Sequence, residues 1–83
     1  MNEKERNNSR LVKVIAAVLQ IDQALVGDEL SPQTSARWDS FAGLMMLAEV
    51  EREFGVSFST AEILEIKTVG DLKTTIRHYG VEL

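Results

Sequence analysis

Apolar residues along the chain recur in blocks at helical spacing, separated by polar turn signals. In the first block Leu11, Val14, Ile15, Val18 and Leu19 share a face, with Arg10, Lys13 and Gln20 among the polar positions. Val12, Val14 and Ile15 are β-branched and compatible with a strand, but the spacing over three turns predicts a helix. Residues 1–8, MNEKERNN, are polar and charged and either fray or extend that helix. Residues 21–38 carry the turn signals Gly27-Asp28 and Ser31-Pro32. A loop of that length needs anchors of its own, and Ile21, Leu25, Val26, Leu30 and Trp38 supply candidates. Ser31 followed by Pro32 suits the cap and first position of a short helical turn. A second helix runs from Asp39 or Ser40 to Phe54 and stops at Gly55. VSF is then a brief extended link, and STAE (Ser59–Glu62) reads as a capping box opening a short helix to Glu65. Thr68–Asp71, TVGD, opens the last helix, with Val69, Leu72, Ile76 and Tyr79 as its stripe and Gly80 as its end. Three longer helices, a short third one and a long loop between helices one and two predict an all-α, four-helix bundle.

The second helix is apolar on two sides. At about 100° per residue, Leu44, Met45 and Ala48 lie within roughly 60° of Phe41. Gly43, Met46, Leu47, Val50 and Phe54 cluster between roughly 140° and 240°. A bundle helix needs one such stripe. The one reaching Phe54 is longer and is the better core face, which leaves Phe41, Leu44, Met45 and Ala48 outside, flanked by Glu51 and Arg52. Either the helix is buried all round, or this second face is a partner-binding surface. Methionine would make that surface adaptable.

Composition narrows the chemistry. The chain has 83 residues, which predicts one domain, with residues 9–83 as its body. A core that small is marginal, since such a domain buries only about 60–65% of its unfolded surface. With no cysteine there is no disulfide, thiolate metal site or thiol nucleophile, and the single histidine, His78, makes a metal site or a histidine relay improbable. Thirteen acids against nine bases give a formal charge of −4, contrary to what a nucleic-acid binder needs. No segment reads as a signal peptide and no apolar run approaches the ~20 residues of a membrane span, so the expected setting is the cytoplasm, without membrane insertion.

Ser40, at the head of the two-faced helix, has three readings. Asp39 or Ser40 as a helix cap needs no function at all. A catalytic nucleophile would need a base and an oxyanion hole; there is no Gly-x-Ser-x-Gly elbow, and His78 sits near the far end of the last helix. The third reading is attachment of a phosphorylated group, which would lie at the positive end of the helix dipole.

WDSF, followed by LMMLAEVEREFGVSF and then TVGDL, resembles the acyl carrier proteins, over about Leu11 to Ile76. Asp39-Ser40-Phe41 is similar to that family's Asp-Ser-Leu motif, with Phe in place of Leu. The resemblance implies a four-helix carrier that is not itself an enzyme. Its Ser40 would receive 4'-phosphopantetheine from coenzyme A through a phosphopantetheinyl transferase, with Asp39 assisting near the transferase magnesium. The arm's thiol would hold acyl or aminoacyl groups as thioesters, which supplies the thiol that the chain lacks. Partners would be that transferase, an acyl-loading ligase or acyltransferase, and a downstream synthase or transferase, meeting a monomer through Phe41, Leu44, Met45, Ala48 and Glu51. Fatty acid or polyketide biosynthesis is the general setting. Ala42 and Met45 stand where primary fatty-acid carriers typically have acids, and the Trp-Asp-Ser form is more like stand-alone carriers of specialised pathways. Gly43, mid-helix, either permits close helix packing or leaves room for an acyl chain. The alternative from another class is a small unmodified interaction module using the same patch.

Overall fold

Helix α1 begins earlier than its apolar stripe does. In the computed structural model, which describes residues 1–83, it spans Glu3–Leu19, so the charged N-terminal segment extends the helix. Asn2 supplies the cap, its Oδ1 accepting from the Glu5 N–H at 2.8 Å, and Glu3 and Glu5 in the first turn complement the dipole. Asn7 is buried; its Nδ2 donates to the Glu82 carbonyl at 2.9 Å, which ties this end of α1 to the C-terminal tail. Gln20, in the left-handed conformation at φ 55°, ends the helix.

Helices α2 (Ser40–Phe54), α3 (Thr60–Glu65) and α4 (Val69–His78) follow, and no strand is present. The expected all-α bundle is the observed fold. Its core joins Leu11, Ile15 and Leu19 of α1, Met46, Leu47 and Val50 of α2, and Val69, Leu72 and Ile76 of α4. Those are the stripes that the helical spacing marks. Trp38, Phe58 and Leu83 complete the cluster from outside the helices.

The long loop is held down at three places. A short 3₁₀ turn, Gln23–Leu25, is capped by Asp22, and Ser31 accepts the Gln33 N–H on its hydroxyl and the Thr34 and Ser35 N–H groups on its carbonyl. The third tether is α4 itself. Its first two N–H groups have no partner within the helix, and the loop provides them: Val69 donates to the Leu30 carbonyl at 3.0 Å and Gly70 to the Asp28 carbonyl at 2.9 Å. A Cβ on Gly70 would stand 3.3 Å from that Asp28 oxygen, so glycine keeps the approach open. Lys73 Nζ adds a 2.7 Å ion pair to Asp28, and this bond, with the charge behind it, holds the Asp28 carboxyl below the usual carboxylate range. Ile21, Val26 and Leu30 pack against the core as expected. Leu25 does not; it is exposed, because the 3₁₀ turn directs it outward.

A helix as short as α3 cannot stand alone. The Ser59–Glu62 capping box forms, and Tyr79, at the C-cap of α4, clamps it by directing its hydroxyl to the Ser57 carbonyl and the Glu62 carboxylate. The hydroxyl proton lowers the Glu62 pKa, and the carboxylate in turn raises that of Tyr79. Tyr79 is therefore a half-exposed clamp more than a core residue, packed edge-on against Phe58.

Candidate functional site

At the head of α2 the two neighbouring cap candidates divide their work. Asp39 is the cap: its backbone is extended, its Oδ1 accepts from Ala42 N–H at 2.8 Å, and its carbonyl accepts from Gly43 N–H at 2.9 Å. Ser40 is thereby the first helical residue, and its hydroxyl is exposed and bonded to nothing. The N–H groups of Ser40 and Phe41 are the two orphan donors of this helix start. At α4 the equivalent pair is consumed by loop carbonyls, whereas here both are free.

Beside Ser40 opens a cleft of about 540 Å³. Trp38, Met46 and Leu47 form its buried side, Ile63 comes from α3 and Ile66 from the residue that caps it, and Asp39, Ser40 and Leu44 lie at the exposed margin. Trp38 tethers the loop to the core as expected. Gly43 permits a close approach, though to an indole and not to another helix: a Cβ there would stand 3.0 Å from Trp38 Nε1. His78 is exposed and lines a separate cleft between α3 and α4 with Glu62, Glu65 and Asp71, so no base faces Ser40 from it.

The outer face of α2 is open. Phe41 is 73% exposed and Leu44 63%, Met45 and Ala48 are also exposed, and the alternative of a helix buried all round does not hold. Glu51 departs from its expected place on that surface. It is half-buried and its Oε2 accepts the Phe58 N–H at 2.7 Å, so it serves the α2–α3 link. The other acids of α2 are also answered within the chain: Glu49 by Arg52 at 3.4 Å, and Glu53 by Arg10, which donates to its carboxylate and carbonyl and covers the Phe54 ring. Of these pairings only Glu49 with Arg52, at i, i+3 spacing, is visible along the chain.

The family model described as the phosphopantetheine attachment site matches residues 9–76. The chain belongs to this family. It is a carrier domain of the acyl carrier protein type, with covalently attached 4'-phosphopantetheine as its cofactor. Such a carrier interacts with the enzymes that modify it and with those that handle its acyl group. No curated protein matches the chain. No helix of the carrier is long and apolar enough to cross a membrane.

Proposed function

We propose that Ser40 Oγ is the point of attachment, and that the chain acts as a non-catalytic carrier of acyl or aminoacyl groups. The observation that carries this reading is the division of labour at the helix start. Because Asp39 provides the cap, the Ser40 hydroxyl remains unbonded and exposed. The free N–H groups of Ser40 and Phe41 suit the oxygens of a phosphodiester, which the helix dipole also favours. The residues present therefore fit the group. When bound, phosphopantetheine supplies the thiol on which a thioester is held. Asp39 keeps one carboxylate oxygen on Ala42 N–H and leaves the other for the transferase magnesium.

Residues 9–83 form the carrier unit in this reading, with the preceding residues continuing α1, and it works as a monomer in the cytoplasm. Partners (the transferase, a loading ligase or acyltransferase, and a downstream synthase or transferase) meet Phe41, Leu44, Met45 and Ala48. Since Arg52 and Arg10 offset Glu49 and Glu53 and Glu51 is half-buried, docking relies mainly on apolar contact. That supports a specialised pathway over housekeeping fatty-acid synthesis. The test is incubation with coenzyme A, magnesium and a broad-specificity phosphopantetheinyl transferase. The intact mass should rise by one phosphopantetheine in the wild type and stay unchanged in Ser40→Ala. A gain that survives Ser40→Ala would move the attachment to another residue, and no gain with several transferases would leave the unmodified interaction module as the better reading.

A further inference from the structure

The cleft beside Ser40 contains a polar group that nothing in the protein uses. Trp38 is only 6% exposed, yet its Nε1–H meets no acceptor, and it is not sealed in the core either. The edge of the indole that carries Nε1 faces Gly43, where a Cβ would stand 3.0 Å from Nε1 and 3.5 Å from Cδ1. Trp38 and Gly43 both line the cleft. With no side chain at Gly43 the indole edge seats against α2 without a clash, and its N–H keeps contact with the cleft. An indole N–H donates and cannot accept. Among Met46, Leu47, Ile63 and Ile66, a donor left without an acceptor is unfavourable once water is displaced. A few placed polar groups in an otherwise apolar pocket are what fix ligand choice.

We infer that Trp38 Nε1–H is the specificity-determining donor of this cleft and selects acyl cargo bearing a further acceptor oxygen, beyond the thioester carbonyl, over plain alkanoyl chains. The inference rests on Ser40 being the attachment point. A saturated chain would cover the donor without pairing it. A keto oxygen on the chain would displace water and pair it as well.

Trp38 is the only tryptophan, so it gives a single indole N–H signal in a proton–nitrogen correlation spectrum. That signal is to be recorded in the unmodified protein, in the protein carrying the bare arm, and in forms loaded from hexanoyl- and 3-oxohexanoyl-coenzyme A, with intact mass checking each load. The signal should lie furthest downfield in the 3-oxohexanoyl form. Its exchange with solvent should be about 2- to 10-fold slower there than in the hexanoyl form, the range one net hydrogen bond supplies. In Gly43→Ala, whose methyl group would crowd Nε1 at about 3.0 Å and push the N–H out of register with the cargo, the two loaded forms should give the same signal. Equal signals from the two loaded wild-type forms overturn the inference. So does a shift already complete with the bare arm, which would make the arm's own amides the acceptor, and so does a difference that persists in Gly43→Ala. Failure to gain mass at all overturns the Ser40 reading together with this one, whereas normal loading with equal signals overturns this one alone.

Discussion

At the level of single residues, the freedom of the Ser40 hydroxyl depends on which side chain caps α2. Asp and Ser are both preferred caps, so the dipeptide Asp39-Ser40 leaves the choice open in sequence. The backbone settles it, because Asp39 is extended and Ser40 is already helical. Asp39→Ala should therefore destabilise the fold by about 0.5–2 kcal/mol, the usual loss of an N-cap. Ser40→Ala removes a hydroxyl with no partner and should stay within about 0.5 kcal/mol of wild type. Urea midpoints measured side by side check this; equal losses would mean that Ser40 shares the capping. Glu51 shows the opposite limit of sequence reading. Its partner, the Phe58 N–H, lies seven residues on and past the end of the helix, where no periodicity points to it. Glu51→Ala should cost about 1–3 kcal/mol by leaving that N–H unpaired, and Glu51→Gln, which keeps an acceptor, should cost less.

At the scale of elements, the two faces of α2 were legible because helical phase separates them, and the structure leaves Phe41, Leu44, Met45 and Ala48 outside. Leu47→Ala should lose about 2–5 kcal/mol by emptying a core site. Leu44→Ala should lose within about 1 kcal/mol, since most of that side chain is already in water. Denaturant midpoints decide, and equal losses would mean that the outer face is covered. The long loop was less legible. Its turn residues and most of its anchors could be named, but its pairing with the first two N–H groups of α4 is a contact across some forty residues. The Lys73–Asp28 ion pair reports on that docking. Lys73 depresses the Asp28 pKa in the folded state, so the stabilisation is fully present above the unfolded value of about 4 and is lost as pH falls through the lower folded one. Asp28 is mostly exposed, which limits the effect to about 0.2–1 kcal/mol. Asp28→Asn should accordingly be slightly less stable than wild type at pH 7, and the gap should close as the medium is acidified below pH ~3.9. A gap that persists or widens in acid would contradict the assignment.

At the scale of the whole molecule, the order of its parts (Trp-Asp-Ser-Phe, the helix ending in EREFG, the capping box, the Thr-Val-Gly-Asp-Leu opening) carried the family in sequence. The tail was not legible: Leu83 is buried and Asn7 holds the adjacent Glu82 carbonyl, although neither position belongs to a periodic stripe. The molecular surface also differs from what its acidic total suggests, since Glu49 and Glu53 of α2 are ion-paired within the chain and Glu51 is half-buried on the Phe58 N–H. Turnover by the transferase should thus be more sensitive to Met45→Glu or Leu44→Ala, read as a rise in KM, than to Glu49→Ala. Raising salt should have a modest effect, mainly on the encounter rate. A steep salt dependence with a silent Leu44→Ala would make the docking surface electrostatic. Attachment of the arm to Ser40 can be read directly from the protein's own cleavage pattern. Trypsin cuts after Arg37 and Arg52, and the fragment between them, WDSFAGLMMLAEVER, has Ser40 as its only hydroxyl. After treatment with coenzyme A and a transferase, the mass of one phosphopantetheine should appear on that fragment alone. The same fragment recovered unmodified, with the added mass on another peptide or on none, would contradict it.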